Sequence, residues 1–244
     1  MHLVVLLEKD GLVAVAKPPG LLVIPGRTPE DQVCARDLLS RQLGKRVWVC
    51  HRIDRDTSGV VLFATDEQAH RAASMAFEQG LAKKKYLALV EGVVAAPLDL
   101  QQPLIEGRKG KIRLAHPGED SKESRTLVRP VETFAQATLV ECEPLTGRQH
   151  QIRVHLKAAG HPLVFDHQYG RKEPLQLGAI TLARTPLHAA SLRIESLGID
   201  VSAPLPKDMA AAVEELRVSP LPEPVSPPTP SPPGALSRGG EGDS

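Results

Sequence analysis

Short apolar runs broken by glycine and proline constrain this chain more than any other feature. Residues 11–26 read GLVAVAKPPGLLVIPG, two runs split by a Pro-Pro-Gly turn, and such punctuation marks strands. The texture returns in GVVLFA (59–64), YLALVEG (86–92) and TLVRPVETFAQATLVECEP (126–144). Two stretches carry helical spacing instead. In TDEQAHRAASMAFEQGL (65–81), Thr65 and Gln68 have capping-box spacing, Ala69, Ala73, Ala76 and Phe77 form an apolar stripe, and Gly80 supplies a stop. In LTGRQHQIRVHLKAAGHP (145–162), Thr146 and Gln149 repeat that spacing before Gly160-His161-Pro162, which predicts a helix of about three turns. Helices and strands are therefore mixed throughout. The charged, Gly/Pro-bearing stretch from Gln101 to Thr126 suits a long exposed hairpin or arm.

Composition narrows the class further. Aromatic residues are only 3% of the 244, so Leu, Val, Ile and Ala must build the core. The length fits one large domain or two small ones. From Ser219 onward, SPLPEPVSPPTPSPPGALSRGGEGDS holds too few large apolar residues to offset ordering entropy, so the expected organisation is a domain over 1–217 and a disordered Pro/Ser/Gly-rich tail over 218–244. No apolar run approaches the roughly 20 residues of a bilayer span. Glu8 and Asp10 interrupt the first apolar stretch before it could serve as a secretory signal, and the expected location is the cytoplasm. Cys34, Cys50 and Cys142 are few, odd in number and far apart, which suits reduced structural thiols.

Several chemistries lack their residues. His150 and His155 stand five apart and point to different sides of a helix or strand, so no metal site is expected. Neither a GxSxG elbow, a Walker loop nor a GxGxxG turn occurs. Asp with His51 and Ser58 could suggest a hydrolytic triad, but residues so near in sequence seldom reach triad geometry.

HRIDRDTSGVVLFA (51–64) asks for a different explanation. A surface turn accounts for Asp56, Thr57, Ser58 and Gly59 but leaves Arg52 and Asp54 without a role. Net charge is +1, so total charge announces no polyanion partner. Positive charge nevertheless gathers at Lys83–Lys85, Arg108–Arg113 and Arg148–Lys157, three places where a phosphate backbone could be held. Each cluster alone reads as a solvated loop; together they suggest nucleic acid. On the predicted helix, His150, Arg153 and Lys157 share a polar face beside an apolar stripe of Ile152, Leu156 and Ala159.

The segment HRIDRDTSGVVLFA closely resembles the signature of the RluA family of RNA pseudouridine synthases, with Ile53 in place of the usual Leu. VAVAKPPGLLVIPG, KKKYLALVEG and TGRQHQIRVHLKAAGHPL resemble further motifs of that family in the same order, over roughly residues 10–195. The resemblance implies an α+β fold with a long mixed, mostly antiparallel sheet, flanking helices and a central catalytic cleft. It implies isomerisation of uridine to pseudouridine in structured ribosomal or transfer RNA, without a cofactor or metal. Asp54 matches the catalytic aspartate, Tyr86 the tyrosine that stacks on the target base, and Arg153 the arginine that pairs with the carboxylate. Whether the aspartate adds to the base, bonds to the sugar or acts as a base is left open. Arg52 matches the residue that fills the gap left by a flipped nucleotide, and Lys85, Arg108, Lys109, Lys111, Arg148 and His150 are the further RNA-binding candidates. The expected partner is RNA, with no membrane, and the expected state a monomer lacking an N-terminal S4-type module. A noncatalytic RNA-binding module on the same scaffold is the alternative. One departure stands out: in VFDHQYG, Phe165 occupies a position where the family usually has Gly.

Overall fold

In strand β2 (Leu12–Lys17), Val13 and Val15 face one side of a sheet and Leu12 and Ala14 the other, because strand side chains alternate. Strand β4 (Ser58–Ala64) behaves alike, with Val61 and Phe63 on one face, Val60 and Leu62 on the other, and every residue buried. A strand apolar on both faces needs cover on both. Helix α1 (Ala35–Leu43) covers the first face through Ala35 and Leu39, and α2 (Glu67–Glu78) covers the second through Ala69, Ala73 and Ala76.

The pattern repeats in the other half of the computed structural model, which describes residues 1–107 and 111–218. Strands β5 (Lys83–Glu91) and β10 (Ala137–Pro144) place Leu89 and Leu139 against α4 (Lys207–Val218), and Ala88, Val90 and Val140 against α3 (Gln151–Ala158). The remaining strands are β1 (Val4–Lys9), β3 (Trp48–Val49), β6 (Leu98–Leu100), β7 (Leu104–Glu106), β8 (Ile112–Leu114), β9 (Thr126–Thr133), β11 (Leu175–Leu177), β12 (Ile180–Leu182), β13 (Leu187–Ile194) and β14 (Ile199–Ser202). The main sheet runs β1-β2-β4-β13-β5-β10-β9-β6, with β14 on β13 and β3 on β4. All its pairings are antiparallel except β4 with β13. This is the expected α+β fold with a long, mostly antiparallel mixed sheet.

The parallel junction at the middle has a specific requirement. Gly59 has φ of 112°, and a Cβ there would collide with the Ala189 carbonyl of β13, so only glycine lets the two strands meet. Beside it, buried Ser58 Oγ bonds to His188 Nδ1 at 3.0 Å. Ser58 and Gly59 are thus the start of a central strand rather than part of a surface turn.

Local expectations are corrected at four places. LLVIPG forms no strand: Leu22 makes a single bridge to Cys34, and a 3-10 turn over Pro29–Asp31 precedes α1. The N-cap of α2 is Asp66, whose carboxylate accepts from the Ala69 N–H at 2.8 Å, while Thr65 Oγ1 donates to Gly11. The start of α3 has no capping box; Thr146 Oγ1 instead donates to Gln151 Oε1 at 2.7 Å, and the cap residue is His150 in a left-handed conformation. The expected long arm is a short β7–β8 hairpin whose Leu104 and Ile112 pack on Val154 of α3 and on Tyr169. Arg108, Lys109 and residues 219–244 lie outside the described residues, and α4 runs to Val218. No helix among the described residues is long and apolar enough to cross a membrane.

Candidate active site

The stretch 51–57 links β3 to β4 without regular secondary structure, so its backbone groups need partners from elsewhere. Two cations supply them at Arg55 and Asp56. Lys17, 1% exposed at the end of β2, donates from Nζ to the carbonyls of Pro18 (2.9 Å), Leu21 (2.7 Å) and Arg55 (2.8 Å). Arg184 donates from Nη1 to the Asp56 carbonyl at 3.1 Å, while Nε and Nη2 grip Asp208 at 2.5 and 2.9 Å. At the head of the stretch, His51 Nε2 accepts from the Leu62 N–H at 3.0 Å, and its ring lies 4.7 Å from that of Phe77. Burial, reinforced by nearby Lys84, pushes its pKa down to about 3. The neutral imidazole is therefore a structural acceptor.

Held in this way, Asp54 faces α3. Arg153 Nη1 donates to Asp54 Oδ2 at 2.9 Å. The rest of the guanidinium is committed to a second carboxylate: Nε and Nη2 donate to Asp166 Oδ2 and Oδ1 at 2.7 and 2.8 Å. Asp166 also accepts from the backbone N–H groups of Gln168 and Tyr169. Side-chain exposure rises along the array, from 1% at Asp166 and 5% at Arg153 to 27% at Asp54, so Asp54 is the carboxylate that a ligand can reach. Burial works against both inner charges, yet their bidentate pairing holds the Arg153 pKa above and the Asp166 pKa below its ordinary value.

His150 flanks the array. Its φ of 53° is rare for a residue with a Cβ, and it places Nε2 3.8 Å from Asp54 Oδ2 while Nδ1 meets the Tyr169 hydroxyl at 2.9 Å. Burial lowers its pKa despite the pull of Asp54. The Tyr169 ring also lies under the Arg153 guanidinium at 5.0 Å.

Asp54, His150 and Arg153 line a cleft of about 1310 Å³. Tyr86, on β5 between β13 and β10, contributes its ring. Burial, and then the Asp54 carboxylate, push its phenol pKa upward, so it stays protonated. Arg52, Arg148 and His150 also line the cleft. Lys85 does not: strand alternation sends it to the other face, where Nζ meets Glu141 at 3.2 Å. Lys84, which shares the Tyr86 face, lines the cleft. Lys111 is drawn over the Tyr169 ring at 5.5 Å, and neighbouring Arg113 is paired with Glu119 at 2.6 and 2.7 Å. On α3, Arg153 is buried and Lys157 exposed, so the expected polar face is split.

Sequence reasoning missed Asp166, Lys84, Lys17 and Arg184. Alternation about Tyr86 could have found Lys84; nothing local marks the others. It also missed the state of Thr57, which is buried at the cleft wall and whose hydroxyl is the one buried side-chain polar atom, among the described residues, without a hydrogen-bond partner. Among those residues no cluster of three His, Cys, Asp or Glu side chains is arranged to hold a metal ion.

The family model described as RNA pseudouridylate synthase matches residues 11–158. Ribosomal large subunit pseudouridine synthase C of Salmonella typhi is 36% identical over 224 residues, 88% of this chain and 70% of that protein. Ribosomal large subunit pseudouridine synthase D of Nitrosomonas europaea is 35% identical over 230 residues, 87% of this chain and 65% of that protein. The solved structure of human RNA pseudouridylate synthase domain containing 4 shares the fold, with a TM-score of 0.71 at 24% identity, over 90% of this chain and 94% of that one. With the family's sequence model spanning the loop that carries Asp54 and the whole helix that carries Arg153, the chain belongs to the RluA family of RNA pseudouridine synthases, isomerases that act on RNA.

Proposed function

We propose that this chain converts uridine to pseudouridine in large-subunit ribosomal RNA, with Asp54 as the catalytic carboxylate. The observation that carries the reading is the array in which buried Asp166 anchors Arg153 and Arg153 presents one N–H to Asp54 at 2.9 Å, at the wall of a cleft. The choice of ribosomal over transfer RNA rests on the relatives, which are named for the large ribosomal subunit.

In the isomerisation the bond from N1 of the base to the ribose C1′ breaks, the base turns, and a C5–C1′ bond forms. C5 loses a proton and N1 gains one, so atoms and electrons balance without an added reactant. The target nucleotide must leave its stack to enter the cleft. Arg52, planar and cationic at the rim, is suited to fill the gap it leaves. Tyr86 offers a flat ring for the base and, being protonated, a donor at its tip. Arg153 aims the Asp54 carboxylate at the reacting nucleotide through a charge-assisted bond, and His150 closes its other side. Arg148 and Lys84 add positive charge for adjacent phosphates.

Asp54→Asn tests the reading, since it removes the charge and keeps the shape. The variant should fold, bind ribosomal RNA, and release no tritium from C5-labelled uridine in a single-turnover assay. Isomerisation near the parent rate would overturn the assignment of Asp54. A parent protein that binds the RNA without forming product would favour the noncatalytic module instead.

A further inference from the structure

His150 holds a backbone conformation that a residue with a Cβ does not favour. It caps α3, and helix caps normally take extended backbone, yet its φ is 53°. Among the described residues only one other non-glycine residue has a positive φ: Asp10, which shares the tight β1–β2 turn with Gly11, where a positive φ is needed. His150 joins no hairpin. Glycine would take its position without strain, which ties the strain to the side chain.

The imidazole is pinned from behind. Nδ1 meets the Tyr169 hydroxyl at 2.9 Å, and Tyr169 is itself fixed, with its ring under the Arg153 guanidinium and its N–H donating to Asp166 Oδ1 at 3.2 Å. The carboxylate that anchors Arg153 therefore also anchors the residue that orients His150. On the far side of the ring, Nε2 stands 3.8 Å from Asp54 Oδ2, too far for a hydrogen bond, and it makes none to any described residue. The side chain is 13% exposed and lines the catalytic cleft. An unpaired ring nitrogen thus sits beside Asp54 at the cleft wall.

We propose that His150 is a second catalytic residue, the base that removes the proton from C5. The proposal rests on the isomerisation read above. Once the uracil has turned and C5 has bonded to C1′, C5 carries both its hydrogen and the ribose. Nε2 takes that proton, the C5–H electron pair becomes the C5–C6 double bond, the C6–N1 π electrons pass to N1, and N1 takes a proton from water. The imidazolium then returns its proton to water, so nothing is consumed. The step uses the ring tautomer that keeps its proton on Nδ1, with the Tyr169 oxygen as acceptor. Asp54 favours the imidazolium as it forms, and burial keeps the resting ring neutral and ready to accept.

His150→Asn tests the assignment, because asparagine tolerates a positive φ and keeps a polar side chain there. Single-turnover conversion of ribosomal RNA should fall about a hundredfold, with RNA binding held within a few-fold. Substrate carrying deuterium at C5 should then react severalfold more slowly than the protium form, an isotope effect larger than in the parent, because removal of that proton has become limiting. A merely structural role would slow the variant without that dependence. His150→Gly, in which the backbone is unstrained, should fold and regain rate when imidazole is added to the solution. Conversion by His150→Asn near the parent rate, or slow conversion with no added isotope effect, would overturn the assignment and leave the proposed reaction standing. A parent protein that forms no pseudouridine in ribosomal RNA would overturn the reaction and the assignment with it.

Discussion

The two walls of the catalytic cleft solve the same electrostatic problem in opposite ways. The wall that carries Asp54 is irregular chain, and two of its carbonyls, those of Arg55 and Asp56, accept from buried Lys17 and half-buried Arg184 reaching in from other elements. The facing wall is α3, whose backbone satisfies itself, and there the buried cation Arg153 is spent on carboxylates. On the first wall charge holds the backbone; on the second the backbone holds charge. A helix gives a side chain a fixed origin, whereas a loop must be tied at several points before it can aim one.

The largest effect should come from breaking the helix wall. Arg153→Ala strands Asp166, 1% exposed, as an unpaired buried carboxylate, which should cost about 3–5 kcal/mol of stability and abolish turnover. Removing both charges together in Arg153→Leu/Asp166→Leu should return much of that stability and none of the activity. Urea midpoints and single-turnover rates check both, and recovery of activity in the double variant would refute the aiming role of Arg153.

Breaking the loop wall should cost less stability and reveal positioning. Lys17→Met leaves three carbonyls without their donor and should destabilise by about 3 kcal/mol. Because the loop that aims Asp54 is loosened, kcat should fall about a hundredfold while RNA binding holds within a few-fold. An unchanged kcat in folded protein would mean that the loop holds its shape without this tie.

Acid should act on both walls at once. His51, His150, His155 and His188 all have lowered pKa values, with burial the first cause in each case. The folded protein therefore binds fewer protons than the unfolded chain, in which histidines titrate near 6.5. Their contribution is fully present above about pH 6.5 and is lost as pH falls toward about 3, the value for His51. Urea midpoints measured from pH 7.5 down to 4 should decline steadily, and a flat profile would contradict the burial of these rings. The smallest effect belongs to Lys157→Ala on the exposed side of α3, expected within about 0.5 kcal/mol and with near-parental turnover. A loss comparable to that of Arg153→Ala would erase the distinction between the two faces.

Much of the site could be read before any coordinates. The sequence placed Asp54, Tyr86 and Arg153 in separate motifs, and the fold brings those motifs to one cleft. What was misread follows from one cause: neighbours in sequence were assumed to share surroundings. Lys83, Lys84 and Lys85 form one basic run, yet they separate to Glu195, to the cleft and to Glu141. Thr65 and Asp66 compete for one cap, and spacing alone cannot decide which takes it. Phe165, where the family usually has Gly, is buried, and Asp166 after it still reaches Arg153.

By itself the sequence determined most of the strands and helices and that the core is aliphatic. These properties depend on local periodicity and side-chain type. Only the tertiary structure decided that Asp166 anchors Arg153, that Lys17 and Arg184 hold the Asp54 loop, that Lys84 rather than Lys85 enters the cleft, and that the Thr57 hydroxyl is left without a partner. Those are contacts between residues up to 128 positions apart, and they form because a buried charge or carbonyl must find a partner wherever the fold brings one near.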